Sequence, residues 1–371
     1  MFAGLPEYPW QKLKPYELLA KQNPNGIVDL SVGSPVDPTP QIIQEALEQS
    51  TNAPGYPSTA GSLELREAIV EWFARRRGVT GLSIDAVMPS IGSKELISFL
   101  PLMLGLGPND VVVQPRVAYT AYVVGAALCG AQIVSEDDPE RWPANTKLVW
   151  LNSPGNPDGR VLDVPALRAA VARAKRLAAV IASDECYAEL GWGRWSDETI
   201  PSILDPRVCD ADHTNLLALY SLSKQSNLAG YRAAFAAGDQ NLVKSLVNVR
   251  MHSGLIMPAP VQKAVTVALG DEEHVQMERE IYLERREILL SAVKAYGFKV
   301  ADSEAGLYIW ATLGEDCWAT VKRMAELGIL VVPGEFYEAN GSQYVRFSIT
   351  DTDDKIAEGA RRLQDAIGFN S

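Results

Sequence analysis

Short apolar runs, each followed by a turn, are the feature that most limits what this chain can fold into. Residues 111–113, 148–151 and 178–182 form continuous apolar runs without the alternation of a half-exposed strand. Such runs are typical of strands that are buried on both faces of a parallel sheet. Helical patterns lie between them from about residue 54 to residue 254. We therefore predict an α/β fold built on a doubly wound, mostly parallel sheet.

Charge and hydropathy exclude several classes of protein. The chain has 371 residues and a formal net charge of -12, which disfavours binding to nucleic acid or to an anionic membrane. The longest apolar stretch, residues 118–134, contains polar and glycine residues and is shorter than the roughly 20 residues that a spanning helix needs. Residues 1–18 show no signal-peptide pattern. We expect a cytoplasmic protein without a nucleic-acid or membrane partner.

The cysteines and histidines are too scattered along the sequence to predict a metal site. The cysteines are Cys129, Cys186, Cys209 and Cys317, and the histidines are His213, His252 and His274. None of them has the short spacing of zinc ligands. We expect reduced thiols, no metal, and neither a zinc cluster nor a Ser/His/Asp triad.

Residues 221–232 combine one lysine, several serines and one arginine directly after a predicted strand. A lysine amine can attack an aldehyde, and the resulting imine is the resting form of pyridoxal phosphate enzymes, so Lys224 is a candidate for that role. The Ser221 hydroxyl and the Arg232 guanidinium are donors suited to a phosphate dianion. The alternative interpretation of Lys224 is an ordinary solvated surface charge.

This segment resembles the S-x-S-K-x-x-x-x-x-G-x-R signature of class I/II aminotransferases of the aspartate aminotransferase fold type, with Lys224 at the Schiff-base position. The resemblance extends from Ser31 to about Thr350. It implies the pyridoxal-phosphate-dependent fold type I, with a large cofactor-binding domain at residues 44–255. Residues 1–43 and 256–371 would form an N-terminal arm and a smaller α+β domain that clamps the substrate.

The same resemblance implies roles for other residues around pyridoxal 5'-phosphate. The catalytic residues would be Lys224, Asp184 and Tyr187, with Asp184 pairing with the pyridinium nitrogen. Ser93 and Lys94, through their backbone N–H groups, would bind the phosphate together with Ser221 and Arg232. The ring of Tyr119 would stack on the cofactor ring, and Asn156 and Tyr187 would contact its phenolate oxygen. Tyr56 would reach the partner active site across a homodimer interface. The chain departs from the family pattern at Val117, Thr120 and Asp158.

Arg346 is the candidate for substrate binding. It alternates with apolar neighbours in residues 344–349, and a buried arginine requires an anion. By the resemblance it clamps the substrate α-carboxylate, close to Gly33 and Asn156, while a structural salt bridge is the alternative.

The substrate follows from a narrower resemblance. Residues 35–38, 55–57, 202–215 and 303–310 look like those of actinobacterial N-succinyldiaminopimelate aminotransferases. This implies transfer of an amino group between N-succinyl-L,L-diaminopimelate and 2-oxoglutarate, in lysine biosynthesis. Residues 253–262 contain no arginine, which weakly disfavours an aspartate aminotransferase. Another amino-acid aminotransferase and a pyridoxal phosphate lyase remain alternatives, and the acidic charge disfavours a DNA-binding regulator built on this fold.

Overall fold

The computed structural model describes residue 5 and residues 9–368. Residues 1–4 and 6–8 of the predicted N-terminal arm lie outside the described residues, as do residues 369–371. The strands of the described chain are β1 Val28–Asp29, β2 Val87–Ile91, β3 Val111–Gln114, β4 Gln132–Ser135, β5 Thr146–Asn152, β6 Val180–Asp184, β7 Leu216–Ser221, β8 Ala233–Gly238, β9 Lys299–Ala301, β10 Tyr308–Thr312, β11 Ile329–Leu330, β12 Val332–Pro333 and β13 Val345–Ser348.

The α-helices of the described chain separate these strands. They are α1 Lys14–Ala20, α2 Gln41–Glu48, α3 Leu63–Arg77, α4 Ser93–Met103, α5 Ala121–Cys129, α6 Val164–Leu177, α7 Pro206–Cys209, α8 Leu222–Gln225, α9 Gln240–Ser253, α10 Ala259–Gly270, α11 Glu273–Tyr296, α12 Cys317–Glu326 and α13 Asp353–Gly368. None of the helices within the described ranges combines the length and the apolar character needed to cross a membrane.

The largest sheet has seven strands in the order β2-β8-β7-β6-β5-β3-β4. Strand β8 is antiparallel to both β2 and β7, and the other neighbouring pairs are parallel. Alternate residues of β5 lie in two different cores, Val149 in one and Trp150 in the other. Helices therefore cover both faces of the sheet, and the predicted doubly wound, mostly parallel arrangement is confirmed.

A second region contains a four-stranded antiparallel sheet in the order β12-β13-β10-β9. Beside it, β1 pairs with β11 in parallel. A third core, which includes Leu30, Leu289 and Phe347, joins residues from both ends of the chain. The predicted division at residue 255 assigns α10 to the smaller domain. In the structure, Ala264 and Leu269 of α10 instead lie in a core of the large sheet. The domain division at residue 255 stays a prediction, and this packing favours a boundary between α10 and α11.

Local signals in the sequence place most element ends correctly. Ser62 caps α3 by accepting a hydrogen bond from Leu65 N at 3.2 Å, and Asp163 caps α6 by accepting one from Ala166 N at 2.9 Å. The segment directly before β10 is not a strand, since β10 begins at Tyr308. Asp302 and Ser303 instead have positive φ angles of 48° and 63°.

Candidate active site

The carboxyl ends of three neighbouring parallel strands meet at one cavity. Asn152 ends β5, Asp184 ends β6 and Ser221 ends β7, and this edge is where open α/β sheets place ligands. The cavity has a volume of about 320 Å³. Of the predicted site residues, it is lined by Gly33, Ser93, Lys94, Tyr119, Asn156, Asp184, Tyr187, Ser221, Lys224, Arg232 and Arg346. The sequence-based prediction therefore identified residues that the fold brings together from distant parts of the chain.

Lys224 lies in the short helix α8, immediately after β7. Its side chain is half-buried, and its Nζ donates a hydrogen bond to the backbone carbonyl of Gly33. Ser221 begins the helix: its Oγ accepts a hydrogen bond from Ser223 N at 3.2 Å and donates one to Ser223 Oγ at 2.9 Å. The amine is thus held at the cavity wall by a backbone acceptor.

Ser93 and Lys94, in the first turn of α4, line the cavity together with Arg232, and Gly92 directly precedes that helix. Gly92 has a φ of 76°, and a Cβ at this position would overlap the Arg232 guanidinium. The close approach therefore requires glycine. Arg232 is exposed and donates from Nη1 only to the carbonyl of Ala229, at 2.9 Å. The free N–H groups of a helix N-terminus beside a guanidinium form a binding site for a phosphate.

Asp184 is a buried acid without a basic partner among the described residues. Its exposed fraction is 6%. Oδ2 accepts a hydrogen bond from the Tyr122 hydroxyl at 3.1 Å and Oδ1 accepts one from Cys186 N at 3.3 Å. Burial raises the pKa of the Asp184 carboxyl. A cationic group placed in the cavity beside it would favour the ionised form.

Arg346 is the complementary case, a buried base without an acidic partner in the part of the chain that the structure describes. Its exposed fraction is 4%. Nη1 donates to Asn156 Oδ1 at 3.2 Å, Nη2 donates to the Ser31 carbonyl at 2.7 Å, and Nε has no hydrogen-bond partner. The alternative of a structural salt bridge is therefore wrong. A buried guanidinium in this state favours an anionic ligand.

Two tyrosine hydroxyls meet between Lys224 and Arg346. Tyr187 and Tyr308 are 3.2 Å apart at their hydroxyl oxygens. Burial raises the pKa of Tyr187, and Tyr308 adds to this effect. Burial also opposes ionisation of Tyr308, but the charges of Arg346 and Lys224 outweigh it and lower the pKa of its hydroxyl. Either hydroxyl can be the donor in this contact.

Several residues that line the cavity were missed from the sequence. These are Trp10, Thr120, Asn152, Cys186, Ser223, Ala229, Tyr308, Phe336 and Tyr337. Asn152 lies four residues before Asn156, and Cys186 lies between Asp184 and Tyr187, so these predicted site residues were the available signal. β10 pairs with β13 in a register that sets Trp310 opposite Arg346. Tyr308 lies two residues before Trp310 in the same strand and therefore on the same face as Arg346. Trp10 and Phe336 come from opposite ends of the chain and pack at 5.7 Å between ring centroids, a contact with no local sequence signal.

Tyr56 is the one predicted site residue that does not line the cavity of the described chain. Its side chain is fully exposed, at 102%, in a loop before α3. Its contact with a partner subunit stays a prediction. Within residues 5 and 9–368, no group of three or more potential metal ligands is assembled.

The residues that line the cavity fit the cofactor expected from the sequence. Pyridoxal phosphate carries a phosphate, an aldehyde and a protonatable ring nitrogen. Gly92, Ser93 and Arg232 suit the phosphate, Lys224 suits the aldehyde, and the unpaired acid Asp184 suits a protonated nitrogen. Arg346 remains for the carboxylate of a substrate.

Comparison with known proteins agrees with this chemistry. The profile of the family "Aminotransferase class I and II" matches residues 25–363. The 4-dedimethylamino-4-oxo-anhydrotetracycline transaminase of Streptomyces rimosus is 50% identical over 97% of this chain and 99% of its own length. A probable aminotransferase of Mycobacterium tuberculosis is also 50% identical, over 97% of this chain and 86% of its own length.

A solved structure described as a probable N-succinyldiaminopimelate aminotransferase from Thermus thermophilus superposes with a TM-score of 0.86. It is 27% identical, and the match covers 96% of this chain and 99% of that chain. Enzymes of this family use pyridoxal phosphate on the fold type I framework. Because the family profile spans most of the sequence and these relatives match along nearly its whole length, the chain belongs to the class I and II aminotransferases.

Proposed function

We propose that this aminotransferase moves an amino group between N-succinyl-L,L-diaminopimelate and 2-oxoglutarate. The observation that carries the proposal is the unpaired, buried guanidinium of Arg346, which suits the α-carboxylate that both compounds share. Four basic side chains line the cavity, namely Lys94, Lys224, Arg232 and Arg346, against the single acid Asp184. In a chain with a net charge of -12, this local excess of positive charge favours ligands with several anionic groups.

The proposed roles of the site residues follow from their positions. When bound, the cofactor supplies an aldehyde for the amine and an electron sink for the α-carbon. Lys224 Nζ takes the proton from the α-carbon of the amino acid and would deliver it to the aldehyde carbon that the cofactor contributes; in the second half-reaction it moves a proton the opposite way, so one nitrogen serves as base and acid. Arg346 orients the carboxylate, while Asp184 holds a proton at the ring nitrogen. Tyr187 and Asn156 donate toward the phenolate side of the ring.

A second substrate is favoured by a different observation. The cavity is lined partly by aromatic rings, including Trp10, Phe336 and Tyr337, and a flat apolar ketone would pack well against them. The S. rimosus relative is named for an anhydrotetracycline substrate of this shape. Transfer of an amino group to a polycyclic ketone is therefore the competing proposal.

The visible absorption of the purified protein separates these proposals. We expect the band of the lysine-linked cofactor to be lost on addition of N-succinyl-L,L-diaminopimelate and to be restored by 2-oxoglutarate. The same cycle run with aspartate, and with an aminated anhydrotetracycline as donor, tests the competing substrates. Release of ammonia from the donor, with no amino group passed to 2-oxoglutarate, would point to a lyase and overturn the transaminase proposal.

Lys224→Ala and Lys94→Ala form a matched pair for this assay. Both lysines line the cavity, but the proposed contact of Lys94 is made by its backbone N–H. Lys224→Ala should lose the band and all turnover, whereas Lys94→Ala should keep the band. Appreciable turnover by Lys224→Ala would remove Lys224 from the proposed mechanism.

A further inference from the structure

One face of the long helix α11 carries buried polar side chains where an apolar face is usual. They are His274, Glu278, Tyr282 and Arg285, here named the α11 stripe. Their spacing of four, four and three residues places them in one row along the helix. Their exposed fractions are 7%, 7%, 0% and 4%. Buried polar groups on this scale need specific partners, and three members of the stripe, His274, Glu278 and Arg285, contact two loops of the active site.

His274 contacts the loop that follows Lys224. Its Nε2 is 2.8 Å from the Ser226 hydroxyl, and its Nδ1 is 2.6 Å from Asp271 Oδ2. The three side chains are in contact although the sequence predicts no Ser/His/Asp triad. Ser226 has an exposed fraction of 0% and does not line the active-site cavity. The three residues therefore connect the loop to the helix by hydrogen bonds, and the Ser226 hydroxyl does not act as a nucleophile.

Glu278 contacts the next residue of the same loop. Its Oε2 accepts a hydrogen bond from Asn227 Nδ2 at 2.8 Å. Asn227 also joins this loop to the one that carries Gly33: its carbonyl accepts from Thr39 Oγ1 at 3.2 Å and its Nδ2 donates to the Pro38 carbonyl at 3.4 Å. Asn227 holds a positive φ of 54°, so its conformation is maintained by these contacts.

Arg285 fastens the Gly33 loop directly. Nη1 and Nη2 donate to the two carboxylate oxygens of Asp37 at 2.6 and 2.7 Å, a bidentate pair. Nε donates to Asp353 Oδ1 at 2.6 Å. Asp37 has only 17% of its side chain exposed, whereas Asp353 has 81% exposed. The bond to Asp37 is thus shielded from solvent, and the bond to Asp353 is largely screened.

We propose that the α11 stripe positions the Lys224 amine for the reaction. His274 and Glu278 fix the loop after Lys224, and Arg285 fixes the loop whose Gly33 carbonyl accepts from Lys224 Nζ. The stripe residues contact neither the reacting atoms nor the cavity, so they are positioning residues. A displacement of about 1 Å in such a group can cost up to roughly 100-fold in rate. This inference rests on the proposed role of Lys224 in the transamination.

The first test compares Asp37→Asn with Asp353→Asn. Both replace a carboxylate that binds Arg285, but only Asp37 belongs to the loop of Gly33. In the holoenzyme, Asp37→Asn should lower kcat by about tenfold with little change in the KM of the amino donor, and Asp353→Asn should leave both unchanged. Hydrogen exchange should become faster in residues 31–39 and 222–231 of Asp37→Asn alone. Equal behaviour of the two variants in kinetics and exchange would overturn the proposal.

A second pair separates positioning from general stability. Glu278→Gln keeps an oxygen that can accept from Asn227, whereas Glu278→Leu removes it. The proposal expects Glu278→Gln to retain the exchange pattern and the kcat of the natural enzyme, and Glu278→Leu to lose both. A role in stability alone would lower the melting temperature of Glu278→Leu without changing kcat. Retention of the cofactor band by Lys224→Ala would instead refute the role of Lys224. The hydrogen exchange of the two loops does not depend on that role, so the two failures can be told apart.

Discussion

The guanidinium carbon of Arg346 lies 3.9 Å from the ring centroid of Tyr308. Both residues are buried, and the ring covers one face of a cation that has no acidic partner among the described residues. Such stacking stabilises a desolvated cation without neutralising it. The arrangement keeps the charge of Arg346 available to a carboxylate while it fixes the plane of the guanidinium.

Two substitutions of Tyr308 should separate its ring from its hydroxyl. Tyr308→Leu removes the stacking, which is worth about 2 kcal/mol for a desolvated pair, so the KM of carboxylate substrates should rise about 30-fold. Tyr308→Phe keeps the ring and loses the hydroxyl that contacts Tyr187, so it should reduce kcat/KM by about tenfold or less. Steady-state kinetics with the same donor measures both. Similar KM values for the two variants would show that the ring does not hold Arg346.

Replacement of Arg346 tests the carboxylate site itself. Arg346→Met should reduce kcat/KM for an amino acid by about 10- to 150-fold, because a charge-assisted hydrogen bond contributes roughly 1.5–3 kcal/mol. Arg323→Met is the control, since Arg323 pairs with Glu315 at 3.0 Å on the surface and is half exposed. The loss should disappear with an amine that lacks the carboxylate. An equal loss with that amine would contradict the proposed clamp.

Gly92→Ala should weaken cofactor binding more than backbone strain alone explains. The new Cβ would overlap the Arg232 guanidinium and displace a donor proposed for the phosphate. Gly105→Ala is the matched control: Gly105 has a φ of 73°, close to the 76° of Gly92, but no atom would lie within 4 Å of its Cβ. Each variant should lose about 1–2 kcal/mol of stability.

Only Gly92→Ala should raise the dissociation constant of pyridoxal phosphate, measured by fluorescence titration of the cofactor-free protein. Equal dissociation constants for the two variants would remove Arg232 from the proposed phosphate site.

Glu278 should make stability depend on pH near neutrality. Burial raises the pKa of its carboxyl to about 7, and Asp37 adds to this, against Asn227, Tyr282 and Arg285, which lower it. Because this pKa lies above the ordinary value of 4.5, the contribution of Glu278 to stability is full below about pH 4.5 and is lost as the pH rises through about 7.

Glu278→Gln removes this titration. Its free energy of unfolding, relative to the natural chain, should therefore increase between pH 5 and pH 8, by an amount on the order of 1 kcal/mol after allowance for solvent screening. Urea denaturation at several pH values measures the difference. A difference that stays constant across this range would show that Glu278 does not titrate there.

The sequence by itself determined the architecture and the chemical identity of most of the site. Short apolar runs predicted the buried parallel strands, because strands covered on both faces need no polar alternation. The residues at 152–159, 184–187 and 221–232 lie at strand ends, so the sheet alone brings them together.

Only the tertiary structure decided which further residues complete the site. Tyr308 lies under Arg346 because of the register between β10 and β13, and Trp10 meets Phe336 across more than three hundred residues. The α11 stripe is visible in the sequence only as a charged helix, since helical spacing shows which side chains share a face but not what covers that face. Pairing register and long-range packing depend on the whole chain, and local patterns do not contain them.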